Sequence, residues 1–129
     1  MSDLRCVVVT PEQTELDVTA DSITVPLFDG EMGILKGHSP LVGRLGYGAL
    51  NVKNASQTDS YFIEGGFVQV SENVVSVLTD KLVPLSDITA QAASEAMQAA
   101  LAMPMSKPED TVVRTKAVSR AQAMTRVAG

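Results

Sequence analysis

The chain changes character at Pro84, and that change limits its fold more than any other feature. All five aromatic residues (Phe28, Tyr47, Tyr61, Phe62 and Phe67) lie before it, with 13 of the 17 valines and eight of the nine glycines. After Leu85 come 11 of the 14 alanines and no aromatic residue. Valine and aromatics suit a pleated, half-buried surface, whereas Ala is the strongest helix former. The sequence therefore predicts an all-β domain over residues 1–85 and a helical segment over residues 86–129.

The first part reads as short strands separated by turn residues. Residues 4–10 are β-branched and stop at Pro11. Residues 14–20 alternate Leu16 and Val18 with acids, and residues 22–28 alternate Ile23, Val25 and Leu27 before Asp29-Gly30. Residues 49–54 alternate again, and residues 61–64 and 67–70 flank Gly65-Gly66. Residues 74–78 follow the short turn Ser71-Glu72-Asn73, which predicts a hairpin with residues 67–70. Regular short strands with no intervening helix point to a sandwich or barrel. Gly43, Gly46 and Gly48 are read as turn glycines.

The second part predicts two helices. Residues 89–103 are Ala-rich, with Ser86 or Thr89 available as N-cap. Pro104 and Pro108 enforce a break. A second helix starts at Glu109 or Asp110 and runs to about Val127. Val113, Ala117, Ala121, Met124 and Ala128 recur at helical spacing, and Ala93, Met97, Ala100 and Leu101 face them from the first helix. An Ala seam removes little apolar surface from water, at about 25 cal/mol per Å². The hairpin is therefore expected to be weakly held.

Charge and chemistry narrow the function. The formal net charge is −5, which argues against nucleic acid as a partner. It divides into −9 over residues 1–110 and +4 after Asp110, from Arg114, Lys116, Arg120 and Arg126. That basic segment suits either a solvated helix or docking to an acidic partner. The single Cys6 excludes a disulfide framework, and one His with one Cys gives no metal set. No phosphate-loop pattern occurs, so no cofactor is expected. His38, in Gly37-His38-Ser39-Pro40, could act as a general base with Ser39 or Glu31. Its turn setting favours a loop or interface residue instead. No run of about 18 apolar residues occurs, and residues 1–6 show no signal or transit pattern. A soluble protein of a reducing compartment is expected, touching a membrane only through a partner.

The run Gly30-Glu31-Met32-Gly33-Ile34-Leu35-Lys36-Gly37-His38-Ser39-Pro40-Leu41 resembles the signature loop of the epsilon subunit of F-type ATP synthases, G-E-x-G-I/V-x-x-G-H-x-P-L. Val7-Val8-Val9-Thr10-Pro11-Glu12, Leu45-Gly46-Tyr47-Gly48-Ala49-Leu50, Gly65-Gly66-Phe67-Val68-Gln69-Val70 and Val74-Val75-Ser76-Val77-Leu78-Thr79-Asp80 resemble its other motifs in order, over residues 7–85. Ser119-Arg120-Ala121-Gln122-Ala123 is similar to its last helix.

The resemblance implies a β-sandwich of two five-stranded sheets followed by an antiparallel helical hairpin. It implies a non-catalytic rotor subunit that couples rotation of the membrane ring to ATP synthesis. The implied partners are the gamma subunit, the c-subunit ring and, transiently, the beta subunit. Glu31, Met32, Ile34 and His38 fall in the implied ring contact. Arg114, Lys116, Arg120 and Arg126 fall in the implied inhibitory contact with the beta subunit. The implied location is the cytoplasmic face of a bacterial inner membrane, or the stromal face of a thylakoid. Many members bind ATP through I/L-D-x-x-R-A at the first helix. Here Thr89 and Ala92 replace the aspartate and arginine. Without a cation for the phosphates, no useful ATP affinity is expected. A free-standing sandwich binding module with a helical tail is the alternative reading.

Overall fold

Alternating burial organises the first strands of the computed structural model, which describes residues 3–128. In β1 (Leu4–Val9) the side chains of Leu4, Cys6 and Val8 are buried. In β3 (Ser22–Leu27) Ile23 and Val25 are buried, and in β7 (Val74–Leu78) Val75 and Val77. Period two sends these residues to one face, where they join Ile34, Leu50, Val52, Ile63, Val68 and Val70 in a single core.

With β2 (Thr14–Ala20), β4 (Gly30–Leu35), β5 (Leu41–Asn54), β6 (Gln57–Ser71) and β8 (Leu82–Pro84), the strands form one ladder in the order β2-β1-β7-β6-β5-β3-β4, with β8 beside β6. The two long strands make it a sandwich. β5 and β6 pair antiparallel from Leu41–Val70 to Asn54–Gln57. Their Leu41/Ser71 ends lie in one layer with β7, β1 and β2. Their Asn54/Gln57 ends lie in the other layer with β3, β4 and β8. Each layer therefore has five strands.

Several local expectations change. Residues 61–64 and 67–70 belong to one strand, because Gly65 (φ 69°) and Gly66 (φ 108°) let β6 turn from layer to layer without ending. Gly43, Gly46 and Gly48 are strand residues, not turn residues. A Cβ on Gly48 would lie 2.8 Å from the Pro26 ring, and one on Gly46 would lie 2.9 Å from the Leu27 carbonyl. Their role is to let β3 cross closely over β5, where the β3–β5 register shifts between Thr24 and Leu27. The expected hairpin after β6 forms, with Ser71 paired to Val74. Glu72 (φ 49°) and Asn73 (φ 64°) fill the two left-handed positions that a type I′ turn requires.

The helical unit begins after a 3-10 turn, Leu85–Asp87. In α1 (Ala90–Leu101) Thr89 is the N-cap, its hydroxyl oxygen accepting the Ala92 N–H at 3.0 Å. α2 (Pro108–Val127) starts with Pro at its first position, and the Lys107 N–H donates to the Asp110 carboxylate at 3.0 Å. The helices pack against each other. Their buried residues are Ala93 and Ala100 in α1, and Ala121, Ala123 and Met124 in α2. Val113 and Leu101 do not join this seam and are more than half exposed. The apolar contact is thus smaller than the spacing predicts.

Candidate functional site

The signature run is mostly strand rather than loop. Gly30–Leu35 forms the edge strand β4, paired to β3 along its whole length. Alternation then sorts its residues. Glu31 is exposed and Met32 half-buried. Ile34 is completely buried in the core, so it cannot serve as a surface contact. Glu31 sits at the start of β4 and His38 beyond its end. Leu35, where the strand ends short of His38, is four residues on from Glu31, about 13 Å at the usual rise. The two do not form one constellation.

The end of the sandwich beyond Leu35 is tied together by hydrogen bonds. The His38 N–H donates to the Leu35 carbonyl at 3.1 Å, turning the chain back. Gly37 (φ 85°) donates its N–H to the Asn73 side-chain oxygen at 2.7 Å. The Asn73 carbonyl in turn accepts the Arg5 N–H at 2.8 Å. Asn73 thus connects the turn after β4, the β6–β7 turn and the start of β1. The half-buried His38 places Nδ1 2.7 Å from the Ser39 carbonyl. A carbonyl only accepts, so Nδ1 carries the proton. The neighbouring serine supplies its backbone rather than its hydroxyl, which gives a hydrolase no activated nucleophile.

A second surface was not legible in the strand pattern. Arg44, Phe67 and Leu78 are opposite one another across β5, β6 and β7, and Val9 of β1 continues the row. Phe67 is 57% exposed and Leu78 49%. Phe28 and Val42, more exposed still, flank them. The Arg44 guanidinium lies over the Phe28 ring, 5.8 Å from its centroid. Exposed apolar patches of this kind are characteristic of interaction surfaces. Its sequence signal was apolar residues at positions where alternation calls for polar ones.

The four basic residues of α2 are not equivalent. Lys116 and Arg126 are exposed, whereas Arg114 and Arg120 are half-buried. At 3.6 residues per turn Lys116 and Arg120 share a face, while Arg114 and Arg126 point elsewhere. Arg114 directs Nη2 at the Leu101 carbonyl, 3.5 Å away at the end of α1. Its Nε is buried without an acceptor.

The positions aligned with the nucleotide motif have structural roles here. Thr89 caps α1, and Ala92 supplies the N–H that it binds. The groove between the start of α1 and the end of α2 has a volume of about 430 Å³ and is lined by Ala90, Ala93, Ser94, Met97, Gln98, Thr125 and Ala128. None of these carries a charge to meet a phosphate. Among the described residues no cluster of His, Cys, Asp or Glu could hold a metal ion. No helix among them is long and apolar enough to cross a membrane.

Comparison with known proteins gives a consistent picture. Residues 3–85 match the family described as ATP synthase, Delta/Epsilon chain, beta-sandwich domain. The chain is 46% identical over 123 residues to the ATP synthase epsilon chain of Rhodopirellula baltica, covering 95% of this chain and 96% of that one. It is 38% identical to the ATP synthase epsilon chain of Symbiobacterium thermophilum, over 100% of this chain and 95% of that one. Among solved structures, it superposes with a TM-score of 0.85 on a chain of the Euglena gracilis mitochondrial ATP synthase, an assembly containing F1 and the c-ring. That match has 25% identity and covers 98% of this chain and 81% of the other.

Proposed function

The chain belongs to the delta/epsilon chain family of ATP synthases and is an accessory subunit of the central stalk, the assembled complex being the enzyme; from that premise we propose how its two units divide the work. The sandwich holds the subunit on the rotor by docking the gamma subunit on the row Phe28, Arg44, Phe67 and Leu78. The edge strand β4, from Glu31 and Met32 along to His38 and the Asn73 turn beyond its far end, faces the c-subunit ring. Together these contacts couple ring rotation to ATP synthesis in the catalytic head, on the cytoplasmic face of the membrane. The helical hairpin inhibits ATP hydrolysis by presenting its basic residues to the beta subunit.

The observation that carries the docking proposal is the exposed apolar row on central strands. Buried against a partner, such residues act as anchors, and truncating an anchor commonly weakens binding tenfold or more. The experiment is titration of the full chain with a gamma subunit. Phe67→Ser with Leu78→Ser should weaken binding at least tenfold, while the exposed control Val112→Ser leaves it unchanged. Unaltered affinity in the double variant would move the gamma contact to another face.

A further inference from the structure

We propose that Arg114 is a tertiary cap: in the folded hairpin it closes the C-terminus of α1 from the neighbouring helix, and its charge is withheld from other partners until the helices separate. The last turn of α1 has no basic residue of its own. Its carbonyls point past Leu101 with the negative end of the helix dipole behind them. The backbone satisfies part of this end, through Ala102 N–H to Gln98 and Met103 N–H to Ala100. The Leu101 carbonyl receives Arg114 Nη2 instead, across the hairpin.

The contact is weak by construction. At 3.5 Å the hydrogen bond is long, so the attraction is mainly that of a cation for a helix end. The Nε proton is buried with no acceptor, which offsets part of the gain. A group held this way is retained in the closed hairpin and released readily on opening. Lys116 and Arg126, which are exposed, offer their charges in either state. The withholding rests on the proposed contact of α2 with the beta subunit. The cap itself does not.

Two measurements on the full-length subunit test it. In hydrogen exchange, Arg114→Met should speed exchange in the last turn of α1 by about two- to fivefold, the usual effect of a charge at a helix end. Arg114→Lys should recover part of that protection, and Arg126→Met should leave α1 unchanged. Equal exchange in the wild type and Arg114→Met, or a lysine variant no better than the methionine one, overturns the cap. In phenylglyoxal labelling of the unaltered protein, read by mass spectrometry, Arg126 should react several times faster than Arg114. Equal rates overturn the withholding. Failure of hairpin removal to affect hydrolysis by the complex would count against the inhibitory function and leave both results standing.

Discussion

The Asn73 side-chain oxygen accepts the Gly37 N–H at 2.7 Å, joining two turns that lie 36 positions apart in sequence. Asn73 also needs a left-handed backbone (φ 64°). Asn73→Gly keeps that conformation and removes the side-chain bond to Gly37. We expect a loss of about 1 kcal/mol in the local stability of the turn. Exchange of the Gly37 amide should rise accordingly, while the core amides of β1 and β7 stay protected. An unchanged Gly37 rate would show that the bond does not hold the turn in solution.

Two glycines with the same small side chain should respond oppositely to alanine. At Gly66 a Cβ would lie 1.8 Å from the Leu78 carbonyl oxygen, and φ is 108°. Gly66→Ala should cost more than about 3 kcal/mol, because backbone must move in both β6 and β7. At Gly33 nothing lies within 4 Å of the added carbon, and φ is not in the left-handed region. Gly33→Ala should be neutral or stabilising by up to about 1 kcal/mol. Urea denaturation of the two variants distinguishes them.

Burial pushes the Cys6 thiol up to about 12. The folded protein should therefore resist thiol reagents at pH 8 and react fully once unfolded in denaturant. The sign for stability follows from the raised value. The unfolded thiol ionises near its ordinary pKa while the folded one stays protonated, so this group lowers stability as pH rises from about 9 towards 12. Cys6→Ala should flatten that decline in a plot of stability against pH, at the cost of a small cavity. A decline of equal steepness in the variant would assign it to other groups.

Removing residues 86–129 should raise ATP hydrolysis by the assembled complex severalfold. The measure is steady-state hydrolysis by complexes carrying the full or shortened chain. No change under any condition would remove the inhibitory role of the hairpin and leave the coupling role of the sandwich.

The strand alternation in residues 4–28 and 74–78 reveals β1, β3 and β7 because each has one wet face and one dry face; β2 alternates in sequence, although Val18 is exposed and only Ala20 is buried. β4 was hidden by its own composition. With two glycines and only Ile34 fully buried, Gly30–Leu35 carries almost no period-two signal. β8 spans three residues, too few for any pattern. The parallel pairing of β1 with β7 arises from contacts between distant parts of the chain, which local propensity does not encode. The basic residues of α2 were visible as charges. Their inequality was not, because it depends on Arg114 meeting the end of another helix. Conversely, Ile34 enters the implied ring contact only through its place in the same signature run as Glu31. A strand sends neighbours to opposite faces, and that geometry removed it.

β5 and β6 pass through both layers of the sandwich without a break. In most sandwiches the two sheets are held by side-chain packing, which yields to sliding. Here two covalent backbones cross the gap, hydrogen-bonded to each other on either side of it. A twisting load applied to the outer face of one layer is therefore carried to the other along peptide bonds. In the proposed seat between the c-subunit ring and the gamma subunit, that would make the sandwich a stiff washer rather than a compliant pad.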